Sequence, residues 1–590
     1  MKTRRVNFLS ETGAMDEGHE GQGRTALWGV ATLLLSNLLL LVPLWIRFGG
    51  VQPHLFALEA GIVTGLFLLL PRRRWTTVLA LVAAFLVVVV TVLAVGDTAA
   101  RMSLARPLNL YLDIQLVSAV KNLLSGTLSP FWAGVILVGG GLVAMGLVAV
   151  LGHCMGWSRA PDPIRTPTGA GGDAPRGLRL GQRVAAWLQP PTRGVGLALL
   201  VISLIAVPLR WLHPGGVVLG LPATQLVREQ ARQMARMLSE RERFAAEMEQ
   251  ARVSSVRGPG LLSRLGGRDV ILAFVESYGS AATDDPRYAP VVTPRLQVMD
   301  SLLAANGLNV VTGRLEAPSQ GGMSWLGHGS MLSGLWLDNQ LRYDLLLASD
   351  GRTLIDDFRA AGYRTVALMP AITLAWPEGE RFGYDEIYAH ADIDYAGPPL
   401  NWVTMPDQFT WSFLQETIRA KKDDRPLFAE LGLISSHAPW TPILPVLEDW
   451  DSIGDGDVFQ RWADAGEKPE DLWKDRDRVR EAYARSVAYA VEVVASWAAR
   501  FVDENTLLIA LGDHQPAPLI TGDDAVRTVP VHVIARDPAL LEPFTDWGFV
   551  AGPAPDSEET ALRMDAFRSW FLSAYSAPGA DSLLAAGGRP

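Results

Sequence analysis

The sequence predicts two structural halves: an α-helical membrane domain of five transmembrane helices, then an α/β domain built on a mostly parallel central sheet. Three observations lead there. The 590-residue chain is 49% hydrophobic, which is high for a protein without lipid-exposed surface. Apolar residues gather before residue 215 in stretches at 27–46, 55–70, 75–95, 131–151 and 195–209. Each approaches the roughly 17–25 residues that cross a bilayer once its less polar flanks are counted. Beyond Arg268 the pattern changes to short β-branched runs alternating with helix-length segments, as expected for strands covered by helices on both faces.

In chain order, residues 1–24 read as a cytoplasmic leader, 25–213 as the membrane domain, 214–262 as a helical linker and 263–590 as the α/β domain. The first apolar run is long, lies behind a polar leader and lacks a small-residue cleavage site, so it reads as a span and not as a cleaved signal. Basic residues set the orientation. Lys2, Arg4 and Arg5 precede the first run, Arg72, Arg73 and Arg74 separate the second from the third, and Arg159, Arg165, Arg176, Arg179, Arg183 and Arg193 separate the fourth from the fifth. Short loops rich in Lys and Arg stay in the cytoplasm, so an odd number of spans carries everything after Leu212 to the outer face of an inner (cytoplasmic) membrane. The alternate connections hold only Arg47 on one side and Arg101, Arg106 and Lys121 on the other.

Glu59, inside the second run, reads as a group facing the bundle interior, with a lipid or proton path as the other reading. Residues 107–124 suit a short helix at the outer interface, 161–175 a flexible Pro/Gly-rich connection, and 225–248 a helix packing on the α/β domain or the membrane surface.

In the second half, strands are expected at 269–275, 365–369, 427–434, 507–511 and 529–534. Helices are expected at 353–361, 408–420 and 478–502, and another opens at Thr293-Pro294 and runs to Ala305. Polar groups stand at four strand ends: Glu276, the segment Gly321-Gly-Met-Ser-Trp325, Ser436-His437 and Asp513-His514. In a parallel sheet they converge on one rim. Glu276, Asp513 and His514 offer two oxygens and a nitrogen to one divalent metal ion, Mn²⁺, Mg²⁺ or Zn²⁺, although Asp-His alone also suits an ordinary polar turn. Ser324 follows two glycines and opens a helix, a place for an activated nucleophile or for a plain N-cap serine.

The balance of charge narrows the partners. Residues 1–215 carry 18 Lys+Arg against 9 Asp+Glu, and the remainder 34 against 53. An acidic second half argues against nucleic acid. The single cysteine, Cys154, excludes an internal disulfide, a Cys-rich zinc cluster and a Cys-x-x-Cys redox motif.

Four strings, Val275-Glu-Ser-Tyr-Gly279, Gln320-Gly-Gly-Met-Ser-Trp325, Ser436-His-Ala-Pro-Trp440 and Gly512-Asp-His-Gln515, resemble in kind and order the membrane branch of the alkaline phosphatase/sulfatase superfamily. The branch in question is the lipoteichoic acid synthase-like phosphoglycerol transferases, which have five N-terminal spans and an extracytoplasmic sulfatase-like domain. The resemblance implies that Glu276, Ser324, Asp513 and His514 surround the metal and that His437 contacts the phosphate or leaving group. Serine stands at 324 where this branch usually has threonine. The formylglycine string of sulfatases, Cys/Ser-x-Pro-x-Arg, is absent, and Glu492 sits one position after a frequent aspartate.

The resemblance also implies the reaction: a phosphoglycerol-type headgroup moves from a phospholipid donor to a glycan or polymer acceptor through a phosphoserine. A phosphoethanolamine transferase, a phosphodiesterase or sulfuric ester hydrolase, and a non-catalytic envelope scaffold are the alternatives. His328, one helical turn after Ser324, and Trp376, Arg381, Trp402 and Asp407, in an irregular stretch, are further substrate candidates. His532, alternating with Val531 and Val533, reads as a core histidine before a second metal ligand.

Overall fold

A computed structural model describes residues 11–51, 54–113, 117–159, 191–212, 218–253, 258, 260–522, 524–554 and 561–577. The basic leader at residues 1–10 and most of the basic loop expected between the fourth and fifth spans lie outside the described residues. The chain forms two compact units, Met1–Arg101 with Arg106–Arg236, and Met102–Ala105 with Met237–Pro590.

The first unit contains α1 (Glu11–Phe48), α2 (Leu58–Leu69), α3 (Arg74–Leu104), α4 (Val117–Ser158) and α5 (Pro191–Leu212). Four segments are long and apolar enough to cross a membrane: Gly23–Phe48, Arg74–Leu104, Gly134–Ser158 and Pro191–Arg210. The second expected span is different, because α2 has 12 residues and extends only about 18 Å at 1.5 Å per residue. Its ends nevertheless reach both ends of the bundle. At one end, Arg72 donates to Thr25 Oγ1 (3.2 Å), to the Trp157 carbonyl (3.0 Å) and to the Arg159 carbonyl (2.9 Å), joining the entry of α1, the α2–α3 turn and the exit of α4. At the other, Trp45 Nε1 donates to the His54 carbonyl (2.7 Å) and Thr98 Oγ1 to the Pro43 carbonyl (3.1 Å). Between His54 and α2, Phe56 and Ala57 pair in parallel with Leu219 and Gly220. Extended backbone gains about twice the rise per residue of a helix, which is how a shortened helix traverses the distance that α1 covers in full.

Glu59 has a structural role: its Oε1 accepts from Thr224 N and Oγ1, both at 3.0 Å, and so caps the start of α6 (Pro222–Val253). The second half of α6 belongs to the α/β unit, where Arg342 donates to Glu240 (2.6 Å) and Glu247 (2.9 Å), and its guanidinium lies 5.0 Å from the buried Phe244 ring. The interfacial helix expected at 107–124 is four residues long, Leu110–Asp113, and Lys121 falls inside α4.

The second unit is a nine-stranded sheet. Its strands are β1 (Asp269–Val275), β2 (Asn309–Glu316), β3 (Arg364–Met369), β4 (Glu386–Ala389), β5 (Leu427–Leu433), β6 (Thr506–Gly512), β7 (Thr528–Ala535), β8 (Val550–Ala551) and β9 (Leu562–Arg563). The spatial order is β8-β2-β7-β6-β1-β5-β3-β4, with β9 paired to β2. All neighbours are parallel except the pairs that β7 makes with β6 and β2 and that β8 makes with β2. The central strands are near-continuous apolar runs because both faces are covered. On one face Ile271, Ala273 and Val275 pack with Leu296 and Met299 of α7 (Ala289–Ala305) and with Tyr483 and Trp497 of α8 (Arg476–Phe501). On the other, Val270, Leu272 and Phe274 pack with Leu326 and Met331 of the helix Ser324–Ser333, with Phe358 and with Phe571.

Three local expectations change. Strand β2 was not expected, because Thr312, Gly313 and Arg314 break its apolar pattern. A side chain at Gly313 would sit 2.6 Å from the Phe549 ring, so glycine is what lets this strand pack. Helix α7 begins at Ala289, a turn before Thr293-Pro294, since Pro290 occupies its first turn and Pro294 forfeits a single intrahelical bond. The helix expected at 408–420 is α-helical over Asp407–Phe413 and continues as a π-helix over Leu414–Arg419.

Candidate metal centre and nucleophile

The sheet's topology brings the polar strand ends together. β1 and β6 are central neighbours with Val275 opposite Gly512, so Glu276 and Asp513 leave the sheet side by side. Gly512 is required there: a Cβ would lie 1.8 Å from the Tyr278 carbonyl oxygen, and the chain could not close over the turn that carries Glu276. β2 runs parallel to β6 through the intervening antiparallel β7, so the segment after Glu316 reaches the same rim. There Gln320 bridges to Gln515 and the helix bearing Ser324 begins.

Non-glycine residues with left-handed backbone mark these ends. Ser277 (φ 54°) follows Glu276, Met323 (φ 61°) precedes Ser324, Asn401 (φ 59°) precedes Trp402, and Trp440 (φ 60°) closes the turn holding His437. Such conformations cost about 1–3 kcal/mol each and persist where surrounding structure enforces them, commonly at functional sites.

Glu276, Asp513 and His514 place three ligand atoms within 4.8 Å of one another. His514 Nε2 stands 3.3 Å from Glu276 Oε1 and 3.6 Å from Asp513 Oδ2. Its Nδ1 donates to the Gln515 carbonyl at 2.8 Å, which fixes the ring with Nε2 turned to the carboxylates. Asp513 Oδ1 accepts from the backbone N–H groups of Ser277 and His514, each at 2.7 Å, leaving Oδ2 for the cluster. Ser277 Oγ donates to Glu276 Oε1 at 2.8 Å and Ser436 Oγ to the Glu276 carbonyl at 2.5 Å. Ser324 Oγ completes the group, 3.1 Å from Glu276 Oε2 and 3.3 Å from His514 Nε2.

The electrostatics are those of a cation site. Burial works to raise the Glu276 carboxyl, but His514 and then His437 outweigh it and hold the group well below the usual carboxylate range. Burial, reinforced by the Glu276 charge, pushes Asp513 up to about 6. Burial opposes the charged form of His514, yet Asp513 and Glu276 raise it to about 9. The three titrate as a unit, and a proton on His514 holds the place of positive charge between two carboxylates. No Lys or Arg among the described residues pairs with either carboxylate. The donor set of two carboxylates, an imidazole and a hydroxyl fits a divalent cation.

The other expected residues divide into two groups. His437 follows Ser436, whose Oγ donates to the Glu276 carbonyl, and its ring is parallel to Trp402 with centroids 6.4 Å apart. His328 stacks on Phe274, with centroids 3.7 Å apart, and its Nδ1 lies 2.7 Å from Glu430 Oε1. Asp407 is fully buried, and its Oδ1 accepts from Ile434 N and Ser435 N, both at 2.8 Å. It thus holds the turn before His437 from beneath instead of facing a substrate, and burial pushes it up to about 6. Arg381 Nε donates to the Leu347 carbonyl at 2.8 Å, tying its own helix to a neighbouring one. Trp376 packs near Tyr384, with centroids 6.4 Å apart. His532 is a satisfied core residue, Nε2 2.9 Å from Tyr278 Oη and Nδ1 3.0 Å from Thr312 Oγ1, and burial lowers it to about 4.

Sequence reasoning missed Glu430 and Tyr384. The signal was present in Leu427-Phe-Ala-Glu-Leu-Gly-Leu433, where one carboxylate interrupts a fully covered strand and must find a partner.

Residues 268–523 match the family model described as Sulfatase. No protein of curated function matches the chain. Among solved structures, the lipoteichoic acid synthase LtaP from Listeria monocytogenes is 14% identical, with 49% of this chain and 71% of that chain covered at a TM-score of 0.33. Streptococcus pyogenes phosphoglycerol transferase GacH, in complex with sn-glycerol-1-phosphate, is 12% identical, with 50% and 74% covered at 0.32. The C-terminal periplasmic domain of EcEptC from Escherichia coli is 16% identical, with 52% and 89% covered at 0.32.

Proposed function

The chain carries a sulfatase-family domain, and from that premise we propose that it is a metal-dependent membrane phosphotransferase that moves a phosphoglycerol-type headgroup from a phospholipid to a glycan or polymer acceptor. One observation carries the reading: a serine hydroxyl at a helix start lies within hydrogen-bond distance of two of the three clustered ligands, Glu276 and His514. The four motif strings support the phosphoglycerol branch, and the four membrane-capable helices support a donor that resides in a bilayer.

Glu276, Asp513, His514 and Ser324 would hold a divalent ion, whose positive charge would lower the pKa of the serine hydroxyl and neutralise the phosphodiester. The Ser324 hydroxyl proton, which faces Glu276 Oε2 at 3.1 Å, would leave to solvent under that charge, and the alkoxide is the form that attacks and that is regenerated at the end of the cycle. Ser324 Oγ forms a bond to phosphorus as the bond to the lipid alcohol breaks, and His437, next to the Ser436 that bonds the Glu276 carbonyl, protonates the departing oxygen. An acceptor hydroxyl then gives its proton back to His437, bonds to phosphorus and releases Ser324. The alternation of span ends together with the basic Arg72–Arg74 turn supports a cytoplasmic side at that turn and an extracytoplasmic catalytic unit.

Ser324→Ala should abolish turnover with metal content intact, and Ser324→Thr should retain part of it. Mass spectrometry of enzyme quenched with phosphatidylglycerol and no acceptor should find glycerophosphate on the peptide containing Ser324. An adduct on another serine, or full turnover by the alanine variant, rules the mechanism out.

A further inference from the structure

Glu430 is a carboxylate in the interior of a covered strand. It occupies the middle of β5, opposite Leu272 of β1 and Ala367 of β3, on the face lined by Phe274 and Phe428. Its side chain is 1% exposed. Burying a carboxylate there costs several kcal/mol unless its oxygens are satisfied, so its partners show what it is kept for. Oε1 accepts from His328 Nδ1 at 2.7 Å, and Oε2 accepts from the Tyr384 hydroxyl.

The histidine in this arrangement is held by one hydrogen bond and one ring stack. Its ring stacks on Phe274 at 3.7 Å and 20°. Across the register from Phe274 stands Gly432, where a Cβ would lie 3.0 Å from Met369 Sδ and 4.0 Å, an ordinary contact, from His328 Cε1, so the ring lies over this strand as well. Since a carboxylate oxygen can only accept, Nδ1 carries the proton. Among the described residues this is the ring's one hydrogen bond, which leaves Nε2 for a ligand, and the side chain is 16% exposed. Phe274 is two residues from Glu276, His328 is one helical turn from Ser324, and the residue before it, Gly327, packs so closely on the Asp513 strand end that a Cβ there would lie 2.8 Å from the Asp513 carbonyl oxygen. The helix turn that carries His328 thus packs on the strand end of Asp513, while Ser436, next to His437, bonds the Glu276 carbonyl.

We infer that His328 is a catalytic residue that donates from Nε2 to a non-bridging oxygen of the transferred phosphoryl group, and that Glu430 and Tyr384 are positioning residues that act through it. With Nδ1 turned to Glu430, Nε2 is the nitrogen left to face a phosphoryl oxygen, and Glu430 stands directly behind the ring to offset the positive charge that donation from both nitrogens would place on it. Such a pair adds a second fixed cation at an anion site, aimed in advance by a strand and an aromatic ring and so requiring little reorganisation when charge develops on the phosphoryl oxygens. The inference rests on the phosphotransfer reading above and extends it to a residue set outside the metal ligands.

The test measures the first half-reaction alone, as the rate of Ser324 phosphorylation and nitrophenolate release from bis(p-nitrophenyl) phosphate by metal-loaded full-length protein. His328→Gln should slow it about 10- to 100-fold, the range of a lost hydrogen bond between charged groups. Glu430→Gln, which keeps volume and an acceptor for Nδ1, should slow it about tenfold, and Tyr384→Phe less. The double variant His328→Gln/Glu430→Gln should be no slower than His328→Gln, because Glu430 acts only through the ring. Metal content and thermal midpoint are measured for each variant, and Tyr384→Phe stands in if Glu430→Gln does not fold. Multiplying effects in the double variant would make Glu430 a packing residue and overturn the inference. So would wild-type rates in His328→Gln while the Ser324 adduct still forms, leaving the phosphotransfer reading standing. If the wild type forms no adduct at Ser324, that reading fails and this one with it.

Discussion

Because His514 sits between two carboxylates that raise it to about 9, a divalent cation must displace a proton to bind. By pH 7 Asp513, raised to about 6, is about nine-tenths ionised and Glu276 is charged throughout, so from there upward His514 holds nearly all of the competing proton. At pH 7, two units below the His514 value, competition should weaken apparent metal affinity about 100-fold, a cost of about 2.7 kcal/mol at 1.36 kcal/mol per unit. Affinity should rise about tenfold per pH unit from 7 to 9 and then level off, with about one proton released per ion at pH 7.5. Isothermal titration of metal-stripped protein in buffers of different ionisation enthalpy counts that proton directly.

Stability must move in concert. A folded-state value raised above the ordinary 6.5 contributes stability that is fully present below pH 6.5 and lost as pH rises through 9, up to about 3 kcal/mol for the metal-free protein. Metal binding takes over the neutralising role, so the protection it gives against thermal unfolding should be larger at pH 9 than at pH 7. Asp513→Asn should reduce both metal content and His514 basicity. Metal affinity independent of pH between 6.5 and 9, with no proton released, would show that His514 does not hold the competing proton, and full metal content in Asp513→Asn would refute the cluster as a metal centre.

Two further outcomes test the frame around the site. Reporter fusions at Arg165 and Gly260 should give opposite signals, because the second span traverses the bundle in spite of its short helix; equal signals would leave the catalytic unit in the cytoplasm. Asp357→Ala should destabilise the α/β unit by about 3–5 kcal/mol in denaturant unfolding, since it strands a buried arginine. Asp357 is fully buried and takes Arg568 Nε at 2.9 Å, Arg568 Nη2 at 2.8 Å and Arg352 Nη2 at 3.1 Å, joining the helix after Thr353 to the C-terminal helix. A loss below about 1 kcal/mol would mean that the pair is not formed in solution.

The fold was legible wherever burial on both sides imposes an unbroken apolar run. Strands β1, β5 and β6 are such runs, and their ends were placed within a residue or so of Asp269–Val275, Leu427–Leu433 and Thr506–Gly512. Hydropathy counts residues and is blind to rise, which is why residues 55–70 read as a span like the others although only Leu58–Leu69 is helical. β2 was hidden for the opposite reason. Its apolar content is interrupted by Thr312, Gly313 and Arg314, and what makes it a strand is pairing with β7 along eight residues, a tertiary fact that no local pattern carries.

The site was legible because its chemistry lies where strands stop. A carboxylate or imidazole directly after an apolar run is conspicuous, and Glu276, Asp513 and His514 stand at two adjacent stops, while Ser324 follows the glycine turn beyond a third. The support for the site lies inside the runs, where a single polar residue is easily passed over. Glu430 lies three residues before the end of its strand and one strand away from Phe274, so its link to His328 exists only once register is known. Asp407 is the complementary case. Its place in an irregular, polar stretch suggested a substrate contact, yet burial turns the same carboxylate inward to hold the backbone of Ile434 and Ser435. Motif and position can nominate a functional carboxylate, but whether it faces a ligand or a backbone amide is decided by which neighbouring strand end is left with unsatisfied N–H groups, and that follows from the order of strands in the sheet.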